Sequence, residues 1–379
     1  MTSTPPLEPV ALTAPTVPAP PEPGVGASTL SSFFSGVGVI LSLELRQRVR
    51  GTGWWILLGV YVVLVAVVTW LVTLSVDGFN EDDGQSGNVV YSAIIIFVLL
   101  LASLVSPAFS GNAINGDREA GTLATTQVTL VTTGQIVLGK FVAAWLTSLA
   151  FLAVSVPFLL YSTLVGDLHP LTILVSVLVL AAELGVISAL GVGLSGLIAR
   201  PLFSVVVTYL AVAALSVGTL IAFGLGGLAV QSTVTSTYSY RDYTASVNPT
   251  ECTDEGVSEY QTPRFDYVWG FLVANPYVVL ADAVPSTYNA DGYTEDLFGS
   301  IKSSVRQAQI APDLEVHYDE CDPSANTTSQ TQQEVIESTT PGWFVGLLIQ
   351  LVLAIAALWG AWARTRTPAK RLAKGSRIA

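Results

Sequence analysis

The sequence predicts an all-α membrane protein: six transmembrane helices with both termini cytoplasmic, and a small extracellular domain inserted between helices five and six. Three observations predict it. Only 12% of the 379 residues are charged, where a soluble domain carries about 25%, and 51% are hydrophobic. Six stretches stay apolar over the roughly 20 residues that a helix needs to cross a hydrocarbon core. The basic residues outside those stretches gather on one side of them. The formal charge of −12 also argues against a nucleic-acid binder, which needs a basic footprint.

The spans are expected at about 54–76, 89–109, 141–163, 171–198, 204–230 and 342–364. Trp54–Val76, Val89–Phe109, Phe141–Thr163, Ser204–Val230 and Trp343–Trp362 contain no Asp, Glu, Lys or Arg, and Leu171–Ile198 contains one acid, Glu183. Such runs are helical because lipid offers no partner to an unpaired backbone amide or carbonyl. Trp54, Trp55, Tyr161, Trp343 and Trp362 stand at their ends, where amphipathic rings favour the headgroup level.

Charge sets the orientation. Arg46, Arg48, Arg50, Arg118, Lys140, Arg200, Arg364, Arg366, Lys370, Arg371, Lys374 and Arg377 all fall on one side. The short loops 77–88 and 164–170 carry acids and no base. By the positive-inside rule both termini, with the basic tail 365–379, are cytoplasmic. The segment 231–341, with 17 acids against four bases, is outside. Cytoplasmic regions then sum to +7 and outer regions to −18, with Glu183 supplying the remaining −1.

Residues 1–28 are proline-rich with two charges, Glu8 and Glu22, and read as a disordered cytoplasmic tail rather than a signal peptide. From 29 to 50, Leu30, Phe33, Phe34, Val37, Ile40, Leu41 and Leu45 recur at helical spacing and Glu44, Arg46, Arg48 and Arg50 follow. That pattern suits an amphipathic helix in the cytoplasmic interface. The outer segment holds both cysteines, Cys252 and Cys321, expected to form a disulfide in an oxidising compartment. The cross-link is worth about 4 kcal/mol on the chain-entropy view. Within it, 267–284 is apolar, but Asp282 and Asn275-Pro276 argue against a seventh span, leaving an interfacial or re-entrant helix on the outer leaflet.

Two glycine motifs are expected to be decoys. Gly134-x-x-x-x-Gly139-Lys140 lacks the Ser or Thr of a phosphate loop and leads into a span. Gly191-x-Gly193-x-x-Gly196 lies inside the fourth span, where glycines allow close packing or a bend. With two histidines and no ligand spacing, no metal, cofactor or hydrolytic site is expected, so the chain is not read as an enzyme. A carboxylate at mid-membrane costs about 2.5 to 3.5 kcal/mol on insertion scales. Glu183 is therefore either a polar group lining a translocation path or an acid held between helices.

The loop between spans two and three, 111–138, carries the sharpest pattern. It reads Asp117-Arg118-Glu119-Ala120-Gly121-Thr122-Leu123, then Leu130-Val131-Thr132-Thr133, then Gly139-Lys140 before span three. This resembles the permease subunits of type-2 ABC transporters, together with the basic segment before span one, the six spans and the insertion before the sixth. The resemblance covers about 40–230 and 342–364. Thr133 and Gln135 stand where the family often has proline and an acid. The resemblance implies an ATP-driven exporter moving an amphipathic or lipid-like substrate or drug across a bacterial cytoplasmic membrane. It further implies two separate ATPase subunits, and a second copy or a sister permease. The coupling role falls on Asp117, Arg118, Glu119, Gly121, Thr122 and Leu123, with Ile114, Leu123 and Val128 expected to dock in an apolar groove of the ATPase. A membrane sensor or scaffold with a ligand-binding outer domain is the alternative. It explains the insertion but not the Glu-x-Gly-Thr-Leu loop. An ion-coupled carrier, which calls for more intramembrane charge than Glu183, is a third.

Overall fold

The computed structural model describes residues 28–79, 86–123, 131–166, 168–241, 252–319 and 330–366. Helix α1 spans Ser28–Arg50, α2 Thr52–Phe79, α3 Ser86–Ser110, α4 Asn115–Glu119, α5 Thr133–Val165 and α6 Pro170–Leu197. Helix α7 spans Pro201–Ala229 and contains a π-helical turn, Ala214–Gly218. The insertion then contributes β1 (Gln231–Arg241), β2 (Cys252–Pro263), α8 (Gly270–Val273), α9 (Pro276–Ala283), α10 (Leu297–Gln307), β3 (Glu315–Asp319) and α11 (Gln332–Ser338). Helix α12, Trp343–Thr365, closes the described chain.

Helices α2, α3, α5, α6, α7 and α12 are long and apolar enough to cross a membrane, and the chain is a multi-pass membrane protein. Their bounds follow the apolar runs, extended by local caps. A Thr132–Gln135 capping box starts α5 eight residues before its apolar stretch. His169 Nδ1 accepts the Leu171 amide and Pro170 takes the first turn of α6.

Three spans form the inside of the bundle and three its outside. In their most apolar windows α3, α5 and α6 are 56%, 44% and 61% buried, against 17%, 11% and 22% for α2, α7 and α12. Lipid supplies no hydrophobic drive between helices, so contact depends on close approach and polar pairing. A Cβ on Gly193 or Gly196 would stand 2.5 and 2.4 Å from the methyls of Ala357 and Ala361, so these glycines let α6 lie flush on α12. Hydroxyl pairs tie the spans: Tyr91 of α3 to Ser176 of α6 at 2.7 Å, and Tyr61 of the outer α2 to Ser155 of α5 at 2.8 Å. The Trp145 indole donates to Ala181 O at 2.8 Å.

The spans are all helical, whereas the insertion adds a three-stranded sheet of order β2-β1-β3, a feature the all-α expectation did not include. β1 pairs antiparallel with β2 and parallel with β3, and its Thr/Ser/Tyr-rich run fits a half-exposed pleated surface. The apolar stretch expected at 267–284 as one interfacial or re-entrant helix is two short helices, α8 and α9, broken at Ala274-Asn275. Its second half is buried rather than laid on a surface, with Val279, Leu280 and Ala281 fully enclosed in the main core with α3 and α6 residues, while Tyr267 and Phe271 of the first half are exposed. Proline at 276 sets the break, since it cannot donate to a continuing helix.

Asp282 explains why a carboxylate interrupts this run. It accepts Arg306 Nε at 2.8 Å on one oxygen and the amides of Gly342 and Trp343, at 2.8 and 2.9 Å, on the other. One buried acid thus pairs α10 and caps the first turn of α12, where the helix dipole favours negative charge. Arg306 also donates to Thr339 O at 2.9 Å. The expected Cys252–Cys321 pairing falls outside the described residues: Cys252 begins β2 with its side chain not described, and Cys321 is not described at all. So do the Pro-rich segment through 27, residues 80–85 of the loop 77–88, Val128 and the basic tail from 367.

Candidate functional site

The loop that follows α3 is built from the bundle outward. At the end of the bundle where α1 begins and α12 finishes (the termini end), Ser195 Oγ of α6 accepts the amides of Ile114 and Asn115 at 2.9 and 3.1 Å. The Asn115 side chain donates to Ile198 O. These bonds fix the start of α4. Gly121 then ends it with φ +70°, a left-handed conformation that glycine adopts without a Cβ clash. The need for glycine here is local and physical: a side chain with a Cβ is strained at this φ.

The reversal divides the six candidate coupling residues. Arg118, Glu119, Gly121 and Thr122 are exposed at the tip, with Arg118 donating to Asn115 Oδ1 at 3.1 Å and Thr122 to Asp117 O at 3.3 Å. Leu123 turns back and is buried with Ile114, Ile136, Val192 and Ala361. The expectation that Ile114 and Leu123 dock in a partner's groove is therefore corrected: both are anchors of the chain's own core, Ile114 completely enclosed and Leu123 8% exposed. Where one helix is expected over 117–127, helix α4 is five residues long, Asn115–Glu119; after the turn at Ala120-Gly121 the chain is helical again at Thr122–Leu123, and residues 124–130 lie outside the described residues.

Asp117, the sixth residue, faces inward. Its Oδ2 lies 2.7 Å from Lys140 Nζ, and the same ammonium meets Glu44 Oε1 of α1. Lys140 is 2% exposed, so its charge is held by these two carboxylates. Burying an unpaired ammonium costs several kcal/mol, and the pair of acids offsets it. Arg48 continues the chain: it lies 3.8 Å from Glu44, donates to Thr147 Oγ1 of α5 at 2.9 Å and to Phe109 O of α3 at 3.2 Å, and stacks on the Phe109 ring. Residues 44, 48, 117 and 140 thus form one ionic node joining α1, α3, α4 and α5. The spacing Phe33, Val37, Ile40, Glu44, Arg48 puts them on one face of α1, and Ile40 packs directly over Gly139. Gln135 adds to this contact, its amide donating to Ser32 O and Phe33 O at 3.2 and 3.1 Å.

A second polar assembly runs through the interior. Glu183 of α6 is 1% exposed, and neither of its oxygens closes a hydrogen bond; the Gln350 side chain of α12 stands beside it. Gln350 donates to Ala274 O at 3.0 Å. The next residue, Asn275, donates to Ser216 O at 2.7 Å and Thr219 Oγ1 at 2.9 Å, both at the π turn of α7. Its Oδ1 accepts the Tyr277 amide and caps α9. A thread of polar groups thus connects α6, α12, the α8–α9 break and α7. π turns leave backbone carbonyls without their usual partner, and Asn275 supplies one here. The run 213–219 gives no sequence signal of this.

Sequence reading named Glu44, Asp117, Arg118 and Lys140 for other reasons and did not bring them together; Asn275, Gln350 and the π turn were missed. Among the described residues, no three His, Cys, Asp or Glu side chains gather to hold a metal ion. No protein-family model matches the chain, and no curated protein matches it.

Proposed function

We propose that this chain is the membrane-spanning permease subunit of an ATP-driven exporter of the type-2 ABC class, with no catalytic site of its own. On this reading two ATPase subunits bind at the termini end, which is cytoplasmic, and the insertion lies outside. A second copy or a sister permease completes the path, and the setting is a bacterial cytoplasmic membrane. The observation that carries the reading is the ionic node. An exposed tip, Arg118 to Thr122, sits on a rigid base whose inward charge, Asp117, shares Lys140 with α1 and α5. A push on the tip is transmitted to two helices at once. The outward faces of α2, α7 and α12 remain for lipid and for the second permease, and Cys252 and Cys321 cross-link the insertion.

The test is capture of the ATPase by the tagged full-length chain from native membranes. Glu119→Arg changes an exposed side chain, so folding stays within about 0.5 kcal/mol of wild type while ATPase capture falls. Capture undiminished by Glu119→Arg and by Thr122→Arg together contradicts docking at the tip. A sensor or scaffold captures no ATPase in either form.

A further inference from the structure

Four concave regions adjoin one another through shared wall residues, in series, as a lateral groove. The first, about 380 Å³, lies between α3 and α7 and is walled by Leu100, Leu104, Val212, Val217 and Leu220. Through Leu220 it meets a second, about 410 Å³, between α7 and α10. Phe223 and Ser304 belong both to that one and to a third of about 370 Å³ beneath β2. Ser304 and Gln307 then pass into a fourth, about 230 Å³, between α10 and α11. Sites of a few hundred Å³ with apolar walls and a few polar groups are the size and character of ligand pockets.

The lining changes along the groove. It is mostly hydrocarbon where it runs beside two membrane-spanning helices, with the hydroxyl-bearing Ser103, Tyr209, Ser216 and Tyr277 among the wall residues. It is richer in hydroxyl and amide at the far end, with Thr262, Ser304, Gln307, Gln330 and Gln332. Among the described residues, no Asp, Glu, Lys or Arg lines any of the four regions, although the segment 231–341 carries 17 acids and four bases. The two cations of α10 are turned away and occupied, Lys302 on Val284 O and Arg306 on Asp282. A charged headgroup would find no counter-ion there. A polyhydroxy head would find donors and acceptors.

We propose that this groove binds a single amphiphile, its acyl chain between α3 and α7 and its uncharged, hydroxyl-rich head between α10 and α11. The ligand enters from the leaflet at the insertion end. Asn275 holds the π turn of α7 at the groove wall, and Tyr209, on the same wall, donates its hydroxyl to Leu104 O at 2.8 Å. Binding depends only on the membrane-embedded chain; that the ligand is exported cargo rests on the exporter reading.

The full-length chain in lipid nanodiscs, without any ATPase, is labelled with a photoactivatable alkyl maltoside carrying its reactive group in the alkyl chain. Label is expected at Leu100–Leu104 and Tyr209–Leu220 at about five times its level on the lipid face of α2. Excess unlabelled alkyl maltoside competes, and the alkylphosphocholine of equal chain length does not. Val217→Trp and Ser304→Trp, both at exposed positions, each cut the labelling, while Leu351→Trp on the lipid face of α12 leaves it unchanged. Label spread evenly over α2, α7 and α12, or equal competition by both head types, overturns the proposal. Because no ATPase is present, that failure is separate from failure of the exporter reading.

Discussion

At the termini end of the bundle, Lys140 is shared by Glu44 and Asp117, and Asp117 keeps 36% of its side chain exposed on a short helix. At the insertion end, Asp282 and Arg306 are 3% and 5% exposed and are further bound by two backbone amides and a carbonyl. Both clusters pair charges from distant parts of the chain. The first has one partner on a short, partly exposed element; the second is enclosed, with both Asp282 oxygens and the Arg306 Nε and Nη1 bonded inside the structure. The contrast separates a joint from a clamp. The clamp ties α9, α10 and the start of α12 together, and on the proposed coupling role the joint lets α1, α4 and α5 exchange partners.

The sharpest way to break this contrast is to cut the clamp. Asp282→Ala leaves Arg306 buried without its acid and strips the cap from α12, a loss of about 3–5 kcal/mol. Thermal unfolding of the purified protein followed by tryptophan fluorescence should show it, and a variant as stable as wild type would dissolve the clamp. A smaller effect comes from Lys302 on α10. Burial draws its ammonium down to about 8 from an ordinary 10.5, with the charge of Asp282 acting the other way. Unfolded, the group stays protonated to about 10.5; folded, it loses its proton from about 8 upward. Between these values the unfolded chain binds more protons, so stability rises with pH across that window, by on the order of 2–3 kcal/mol. Lys302→Met should remove the rise, and a rise of the same size in the variant would assign it elsewhere. The smallest effect is at the joint. Gln135→Ala loses the reciprocal cap of α5 and two bonds to α1, about 1 kcal/mol. Amide exchange should quicken in α1 and leave α9 unchanged.

How much of this was legible in the sequence follows from the range of the forces. The six spans are local facts: an apolar run of sufficient length is helical in lipid whatever surrounds it, and the helix ends fall within a few residues of the charges and caps that set them. The face of α1 and the break at Asn275-Pro276 are local too. The turn at Gly121 was visible only as a motif. The direction in which it sends Leu123 depends on α6 and α12, which lie far along the chain. For the same reason Glu44, Asp117 and Lys140 read singly as charges of the inner face, since nothing local pairs residues 44, 117 and 140. The depth of the α8–α9 break and its tie to the π turn were equally out of reach, because Asn275 finds Ser216 only after the insertion folds back onto α7.

The central claim is that the node carries motion from the exposed tip to the bundle, and Lys140→Met tests it most directly. The substitution keeps the length and apolar stem of the side chain and removes the shared charge, leaving the tip untouched. In the complex reconstituted with its ATPase in lipid nanodiscs, the account predicts that the variant still captures the ATPase within about twofold of wild type. Its stimulation of ATP turnover should be lost. Full stimulation by a Lys140→Met chain that holds its ATPase normally would contradict the claim.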